Sequence, residues 1–427
     1  MQRLRGGLAA AILCVVLVVA GAHPAQAGIN VWTSGGPEGK DVLALAIDAA
    51  NPTTLYAGTL SRGVFKTPNA GGTWSAIGPS NWSAQSLAID PASPSRVYAA
   101  GAFCDLGGCF GPGVFKSEDG GGSWVTTGFS DRPANALAID PTTPMTLFAA
   151  TGDCHPRACG GAVYKSTDGG DTWSDVLAGP YVHAIVIDPT TSTTLYAGTV
   201  GGSLTPGVVK SVDGGVSWTA ANLGLPDGAI SALVVHPAIP SMVYAGTEQA
   251  GAFKTTDGGA TWVTTGFPRP FVGALAIDPV TPTTLYAGTD GVYKSSDGGT
   301  TWTMLNTGLP DKVSVWALAI DPTNPRKLFA GTFGGGVFDI EQIEPSPTPS
   351  ATRIPTTRPS ESEGGCTATP IHRAGSALWL LVPMLALLRA RRQAPLSIWP
   401  RLQGEHAMSP FAPAPPTWPA PEPRRPS

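Results

Sequence analysis

The chain has 427 residues, of which 42% are hydrophobic and 13% are charged, and its formal net charge is −4. Between residues 28 and 344 the balance is more acidic, with 15 Lys and Arg against 26 Asp and Glu, a net of −11. An acidic surface disfavours nucleic acid and anionic membrane surfaces as partners. Short apolar runs cut by Gly and Pro favour an all-β fold.

Residues 1–27 have the features of a secretory signal peptide. Two arginines precede an apolar run from about Leu8 to Ala20, and the small-residue sequence Ala-Gln-Ala follows. Such a segment is removed during export. The sequence therefore predicts an exported protein that is cleaved after Ala27.

A unit of roughly 40 to 50 residues then repeats along the chain, and residues 288–306 show it most clearly. An Asp-Gly pair, Asp297 and Gly298, separates two β-prone runs, and glycine supplies the positive φ that a tight turn needs. Asp297 and Ser295 can accept hydrogen bonds from amides of the turn. Trp302 opens the next strand with a large apolar face. We therefore expect a strand, a tight turn and a second strand here.

Six copies of this turn occur, and their S-x-D-x-G-x-T-W pattern resembles the Asp-box, or BNR, repeat. That repeat is found in sialidases, sortilin-type receptors, some xyloglucan hydrolases and photosystem II assembly-factor propellers. The resemblance implies a structural turn between the third and fourth strands of a propeller blade, away from the binding face. The residues at the acidic position, with Asn in the loosest copy, are therefore expected to serve folding: Asn69, Asp119, Asp168, Asp213, Asp257 and Asp297.

Seven units begin with an apolar run, and this run ends in Asp in every unit except the fifth, where His236 follows. Four short β-type runs per unit are typical of a propeller blade. The last unit stops near Phe338 without a turn of the Asp-box type, while residues 29–33 match the strand that contains Trp302. We therefore predict an all-β, seven-bladed propeller over residues 28–344, closed by its N-terminal strand, so that no sheet edge stays open.

The composition changes after the propeller. Residues 345–372 are rich in Pro, Ser and Thr, which predicts a disordered linker. Residues 373–392 form a short apolar segment with an Arg cluster, a transmembrane or sorting helix, and residues 393–427 form a Pro-rich tail. The Gly-Cys motif at Cys366 resembles C-terminal sorting signals of the myxobacterial type, which implies helix removal and lipid attachment at Cys366.

The long tail departs from that sorting pattern, so a plain single-pass anchor stays open as an alternative. Either arrangement predicts a bacterial cell-surface or outer-membrane protein that is anchored at its C-terminus.

Units two and three carry an insertion with two cysteines each: Cys104 and Cys109, and Cys154 and Cys159. Paired cysteines in an exported chain are typical of disulfides. The alternative is a metal site made of the four thiolates, with His155 as a further ligand. We predict disulfides, and neither a metal nor a cofactor.

The insertions and the blade-to-blade connections should lie on one face of the propeller, opposite the Asp-box turns. Loops at such a channel mouth are the default ligand site. The alternative is that these loops are ordinary solvated segments. The binding-face candidates are Asp131, Arg132, His155, Arg157, Tyr181, His183, Glu248, Arg269, Phe271 and Asp290.

Catalysis is not the favoured function. A sialidase-like enzyme needs an arginine cluster, and the propeller region has six scattered arginines. A xyloglucanase-like enzyme needs two carboxylates across a cleft, which related enzymes build between two propellers. We therefore assign no catalytic residue and predict a monomeric, non-catalytic module that binds a protein or a glycan. A glycoside hydrolase and an assembly factor of a membrane complex are the alternatives.

Overall fold

The computed structural model describes residues 28–105, 108–130, 132–155, 158–200 and 207–343. Within residues 104–109 and 153–160 only the backbone of the described positions is considered. The chain divides into two compact units, 1–350 and 351–427, and all described residues belong to the first. The predicted signal peptide with Ala27, the linker, the sorting segment with Cys366 and the tail lie outside the described residues.

Seven antiparallel sheets, here called blades 1 to 7, form the structure. The strands of blade 1 are Val42–Ile47, Leu55–Thr59, Gly63–Thr67 and Ser75–Ala76. Those of blade 2 are Ser83–Ile89, Val97–Asp105, Val114–Ser117 and Val125–Thr126, with Gly108–Phe110 added to the second. Those of blade 3 are Ala136–Ile139, Leu147–Ala150, Ala162–Ser166 and Ser174–Ala178, with a separate hairpin, Asp153–His155 and Ala158–Gly160.

The strands of blade 4 are Val182–Ile187, Leu195–Thr199, Gly207–Ser211 and Thr219–Ala220. Those of blade 5 are Ile230–Val235, Val243–Thr247, Ala252–Thr255 and Val263–Thr264. Those of blade 6 are Ala274–Ile277, Leu285–Gly288, Val292–Ser295 and Thr303–Met304. Blade 7 contains Val315–Ile320, Lys327–Thr332, Gly336–Glu341 and the N-terminal strand Thr33–Gly36, beside the two-residue strand Gly28–Ile29. No helix occurs in these described ranges, so none there could span a membrane.

The hydrophobic core lies between neighbouring blades. The second strands of blades 1, 4 and 5 are buried along their whole length. A strand buried on both faces reads as a continuous apolar run, as Leu195–Thr199 does. Between blades 4 and 5, for example, Tyr196 and Val208 pack with Ile230 and Trp262.

The predicted closure of the ring is confirmed. Thr33–Gly36 pairs antiparallel with Gly336–Glu341, the strand that contains Phe338. Trp32 is 2% exposed, and its Nε1 donates a hydrogen bond to the Leu305 carbonyl at 2.6 Å. The paired strand begins at Thr33, later than the residues 29–33 that the sequence predicts. In every blade the outer strand starts directly after the tryptophan, whose indole packs against the blades.

The Asp-box turns form a dense hydrogen-bond network, as the turn at Asp297 shows. Its Oδ1 accepts hydrogen bonds from the Ser295 hydroxyl and the Thr301 amide, both at 2.8 Å, and its Oδ2 accepts the Thr301 hydroxyl at 2.6 Å. The Ser295 hydroxyl accepts the Gly299 amide at 2.9 Å. These donors lower the pKa of Asp297 to about 2. These hydrogen bonds lie within the turn itself, and the six turns of this kind define what we call the box face of the propeller.

At three junctions the box also holds the preceding blade through what we call the Tyr–Lys clamp. In blade 1 the Tyr56 hydroxyl and the Lys66 ammonium both donate to the carbonyl of Gly120, the first box glycine of blade 2, at 3.2 and 2.7 Å. Burial raises the pKa of Tyr56 to about 12, so the hydroxyl stays a donor. The same pairs of donors join blade 4 to blade 5 and blade 5 to blade 6.

Blade 7 has no box, and Gln342 replaces it. The backbone amide of Gln342 donates a hydrogen bond to the Arg326 carbonyl at 2.8 Å. In other blades the backbone amide of the first box glycine makes the equivalent hydrogen bond. Its Oε1 accepts a hydrogen bond from Lys294 and its Nε2 donates to the Tyr286 hydroxyl, both at 2.8 Å. One side-chain amide therefore completes the clamp of blade 6, and a cavity of about 470 Å³ lined by Tyr286, Lys294, Arg326 and Gln342 lies beside it.

The junction between blades 7 and 1 departs furthest from the repeat. Phe329 and Asp339 occupy the strand positions that Tyr56 and Lys66 occupy in blade 1, so neither donor of the clamp is present. Asp339 accepts a hydrogen bond from the Thr33 hydroxyl at 3.0 Å, but its Oδ2 has no hydrogen-bond partner within the described residues. Burial raises the pKa of Asp339. The box on the other side contains Ala70 at φ 55°, a conformation that favours glycine.

His236 replaces the aspartate that ends the first strand in the other six units. Each aspartate accepts the amides two and three residues later, as Asp278 does from Val280 and Thr281. The Nδ1 of His236 accepts the equivalent amides, from Ala238 at 3.1 Å and Ile239 at 3.0 Å. The ring must therefore carry no proton on Nδ1, and burial lowers the pKa of His236.

Candidate binding site at the channel mouth

The first strands of the seven blades line the central channel, and they start at the face opposite the boxes. Along these strands the repeat is regular: in all seven units Ala or Ser is followed by Leu or Ile. The residue directly before this pair, five residues before the Asp or His that ends the strand, is the exception. At that position seven different residues occur. We call this set the mouth ring: Leu43, Gln85, Asn135, His183, Ser231, Gly273 and Trp316.

The mouth ring encloses a cavity. All seven ring residues, together with Glu248 and Phe271, line a space of about 260 Å³. A second space of about 250 Å³ is lined by the same ring residues except Leu43 and Ser231 and by the Ala and Leu residues that follow them along the strands. A concave space lined by aromatic rings and a few polar side chains is the arrangement expected of a ligand site.

Two aromatic pairs are positioned at the mouth by glycines. The Phe271 ring lies over Gly273, where a Cβ would come within 3.2 Å of the ring. Trp316, which is 39% exposed, packs against Phe271 with ring centroids 5.4 Å apart. Tyr181 contacts the ring of His183, with centroids 5.4 Å apart at 75°. The mouth therefore offers apolar faces on blade 7 and on the connections into blades 4 and 6.

Glu248 follows the second strand of blade 5 and provides the carboxylate of the cavity. Its backbone amide donates to the Ala229 carbonyl at 3.2 Å, which fixes the chain at this point. Nearby, His183 has a buried Nδ1 with no hydrogen-bond partner in the described part of the chain. Burial lowers the pKa of His183, and the charge of Glu248 opposes this shift only partly. At neutral pH we therefore expect an uncharged imidazole at His183.

Two of the three arginines expected at the mouth, Arg132 and Arg269, contact aromatic rings of the blades. Arg132 lies over the ring of Tyr164, at 4.9 Å from the centroid, and donates to its hydroxyl. Arg269 makes the equivalent contact, donating to the Tyr293 hydroxyl at 2.8 Å, and pairs with Asp290 at 3.3 Å. None of these residues lines the cavity. Of the sequence candidates, His183, Glu248 and Phe271 line it together, and Tyr181 supports His183.

The remaining candidates lie outside what can be described. Asp131 and Arg157 are outside the described residues, and only the backbone of His155 is described. The backbone register places Cys104 opposite Cys109, and Cys154 opposite Cys159. Opposite positions of antiparallel strands have Cα atoms about 4.5–5.5 Å apart, which a disulfide can span. The disulfides stay a prediction.

Metal binding was the alternative for these cysteines. Apart from those side chains, the described part of the chain brings no three His, Cys, Asp or Glu residues together as a metal site.

Sequence reasoning missed most of the mouth ring. Six ring residues line the cavity but were not candidates: Leu43, Gln85, Asn135, Ser231, Gly273 and Trp316. They lie within or directly before the first strands of their blades, whereas the candidates were chosen from the loops. The signal was nevertheless present, since an alignment of the seven first strands shows one position at which seven different residues occur.

No known protein-family model and no curated protein matches this chain. Solved structures do resemble it. The GH74 xyloglucanase from Xanthomonas campestris superimposes with a TM-score of 0.56 at 20% identity, over 72% of this chain and 53% of that one. The GH74 enzyme of Niastella koreensis gives 0.57 at 19% identity, over 74% and 54%. The chain thus spans about half the length of these enzymes.

A second kind of solved structure matches this chain along nearly the whole of that structure's own length. The protein YCF48 bound to D1 peptide superimposes with a TM-score of 0.55 at 14% identity, over 73% of this chain and 97% of that one. At these identities the likenesses show the fold alone. The chain is therefore a seven-bladed β-propeller with structural neighbours among GH74 enzymes and YCF48.

Proposed function

We propose that this protein is a non-catalytic binding propeller that holds a protein or glycan ligand at the mouth ring. The observation that carries the proposal is the contrast along the channel strands. Along the first strands the repeat keeps Ala or Ser followed by Leu or Ile, whereas seven different residues occupy the positions that line the 260 Å³ cavity. Exposed aromatic faces and uncommitted amide groups, such as Trp316 and Gln85, are typical of ligand contacts.

The chemistry of the cavity supports binding over hydrolysis. Glycoside hydrolysis by the common routes needs two carboxyl groups facing each other across the bond. Glu248 is the only Asp or Glu among the described residues that line the cavity. The GH74 likeness also covers only about half of those enzymes, whereas the YCF48 likeness covers nearly all of that protein. A hydrolase and an assembly factor are the alternative functions.

The proposed setting is the bacterial cell surface. The signal-peptide pattern of residues 1–27 and the sorting pattern around Cys366 support export and C-terminal anchoring. The opposed cysteines of the two mouth-side hairpins support oxidation after export. Intact-mass measurement of the secreted protein, with and without reduction, checks this: two disulfides remove four thiol protons, while four free thiols would contradict the proposal.

The binding function is tested by screening the purified full-length protein against a glycan array and a displayed random-peptide library. We expect a ligand whose binding falls at least tenfold in Trp316→Ala. The matched control is Met304→Ala, which truncates an exposed apolar side chain on an outer strand of blade 6 and should bind normally. Turnover of xyloglucan, β-glucan or sialosides that is lost in Glu248→Gln would contradict the proposal and favour the hydrolase.

A further inference from the structure

The cavity at the mouth has a carboxylate without a cation. Its described lining contains Glu248 but neither Lys nor Arg. The side chain of Glu248 makes no ion pair and no hydrogen bond within the described part of the chain. Glu118, by contrast, is engaged in an ion pair, since its Oε2 lies 2.9 Å from Nε of Arg96. A half-enclosed carboxylate without a counter-charge costs free energy, which a cationic ligand would offset.

The surroundings of Glu248 also suit a cation. Blade 5 lies between the His183 side of the mouth and the side formed by Phe271 and Trp316. The faces of Trp and Phe rings attract ammonium and guanidinium groups, with Trp the strongest. The stems of Lys and Arg are apolar and pack on such rings while the charged group reaches a polar partner.

We propose that the mouth cavity recognises a basic side chain, Lys or Arg, of a polypeptide ligand. The charged group binds Glu248, and the alkyl stem lies against Phe271 and Trp316. This inference rests on the proposed function and adds the chemical class of the ligand. The excess of acidic residues between 28 and 344, a net of −11, favours the approach of a basic segment over long distances.

A peptide panel tests the inference directly, because its probes carry the proposed basic group themselves. The probes are Gly-Ser octapeptides with one central residue, which is Lys, Arg, norleucine or Glu. Binding to the full-length protein is measured by isothermal titration at low and high salt. We expect the Lys and Arg peptides to bind at least tenfold more tightly than norleucine, the Glu peptide not to bind, and high salt to weaken the binding.

Two variants locate the interaction. Glu248→Gln keeps the shape of the side chain and should remove the preference for Lys and Arg over norleucine. The matched control Glu118→Gln removes the same charge on the box face and should keep the full preference. If Lys, Arg and norleucine bind alike, or if Glu248→Gln changes nothing, the inference is wrong.

The inference and the proposed function fail in different ways. A ligand from the glycan or peptide screen that is lost in Trp316→Ala but unaffected by Glu248→Gln would leave the binding function standing and overturn the basic-side-chain assignment. Binding of every probe that is insensitive to both variants would overturn both.

Discussion

The box face and the mouth face of this propeller use the same residue types for opposite purposes. Trp32 is buried and donates to a backbone carbonyl at the closure of the ring, while Trp316 stands exposed at the mouth. The side-chain amide of Gln342 makes hydrogen bonds through both its oxygen and its nitrogen to Lys294 and Tyr286 of blade 6. The Gln85 side chain makes no hydrogen bond within the described structure.

The two histidines follow the same division. Nδ1 of His236 caps a turn, while Nδ1 of His183 has no partner among the described residues. Buried polar groups in proteins are nearly always satisfied internally. An open group that borders the ligand cavity, such as Nδ1 of His183, therefore points to a ligand, while a satisfied group such as Nδ1 of His236 points to stability. The predictions below separate these two roles.

The largest expected effect concerns the two tryptophans. Trp32→Ala removes a buried side chain where the strand Thr33–Gly36 joins blade 7, and we expect a loss of about 3–5 kcal/mol in the free energy of unfolding. Trp316→Ala should change stability far less, because the ring is 39% exposed. Urea unfolding followed by circular dichroism measures both. Equal losses in the two variants would contradict the division between the faces.

The glutamines should show a smaller version of the same contrast. Gln342→Ala leaves Lys294 and Tyr286 without their shared partner, and the expected loss is about 1–2 kcal/mol. Gln85→Ala should stay within about 0.5 kcal/mol of the parent protein and should instead alter binding at the mouth. The comparison fails if Gln85→Ala is the more destabilised variant in the same urea titrations.

The histidine of the box face predicts a pH dependence. Since its pKa is lowered in the folded protein, the unfolded chain takes up the proton first as pH falls. The stabilising contribution of His236 is thus fully present above its unfolded pKa, about 6.5, and is lost below it. His236→Asp restores the residue of the other six units, whose carboxylate remains charged at pH 5.5. Unfolding at pH 7.5 and 5.5 should therefore show a smaller acid loss in His236→Asp, and an unchanged loss would refute the assignment.

The smallest effect concerns the box of blade 1. Ala70 has φ 55°, and no clamp lysine faces it, which explains how a Cβ is accommodated. Ala70→Gly should relieve backbone strain and stabilise the protein by about 0.5–1 kcal/mol. The reverse change, Gly258→Ala, should destabilise it, because the new Cβ would come within 2.9 Å of Nζ of Lys210. Thermal unfolding that shifts both variants in the same direction would argue against this explanation.

Several tertiary features could be foreseen from particular residues. The repeated Asp-Gly turns with their tryptophans predicted the strands, the blade number and the closure through Trp32, because turn chemistry and β periodicity act within one unit. The substitution of His236 for Asp was visible as well, although its role as an acceptor was not. By contrast, Arg132 and Arg269 were expected at the ligand face, and the structure places them on Tyr164 and Tyr293 of the next blade.

The sequence by itself thus determined the repeat, its turns and the ring that seven such units must form, since these follow from contacts between residues close together in the chain. Only the tertiary structure decided which side chains meet at the mouth and that Gln342 stands in for the missing box. Those contacts join residues from separate blades, and their geometry exists only once the ring has closed around its channel.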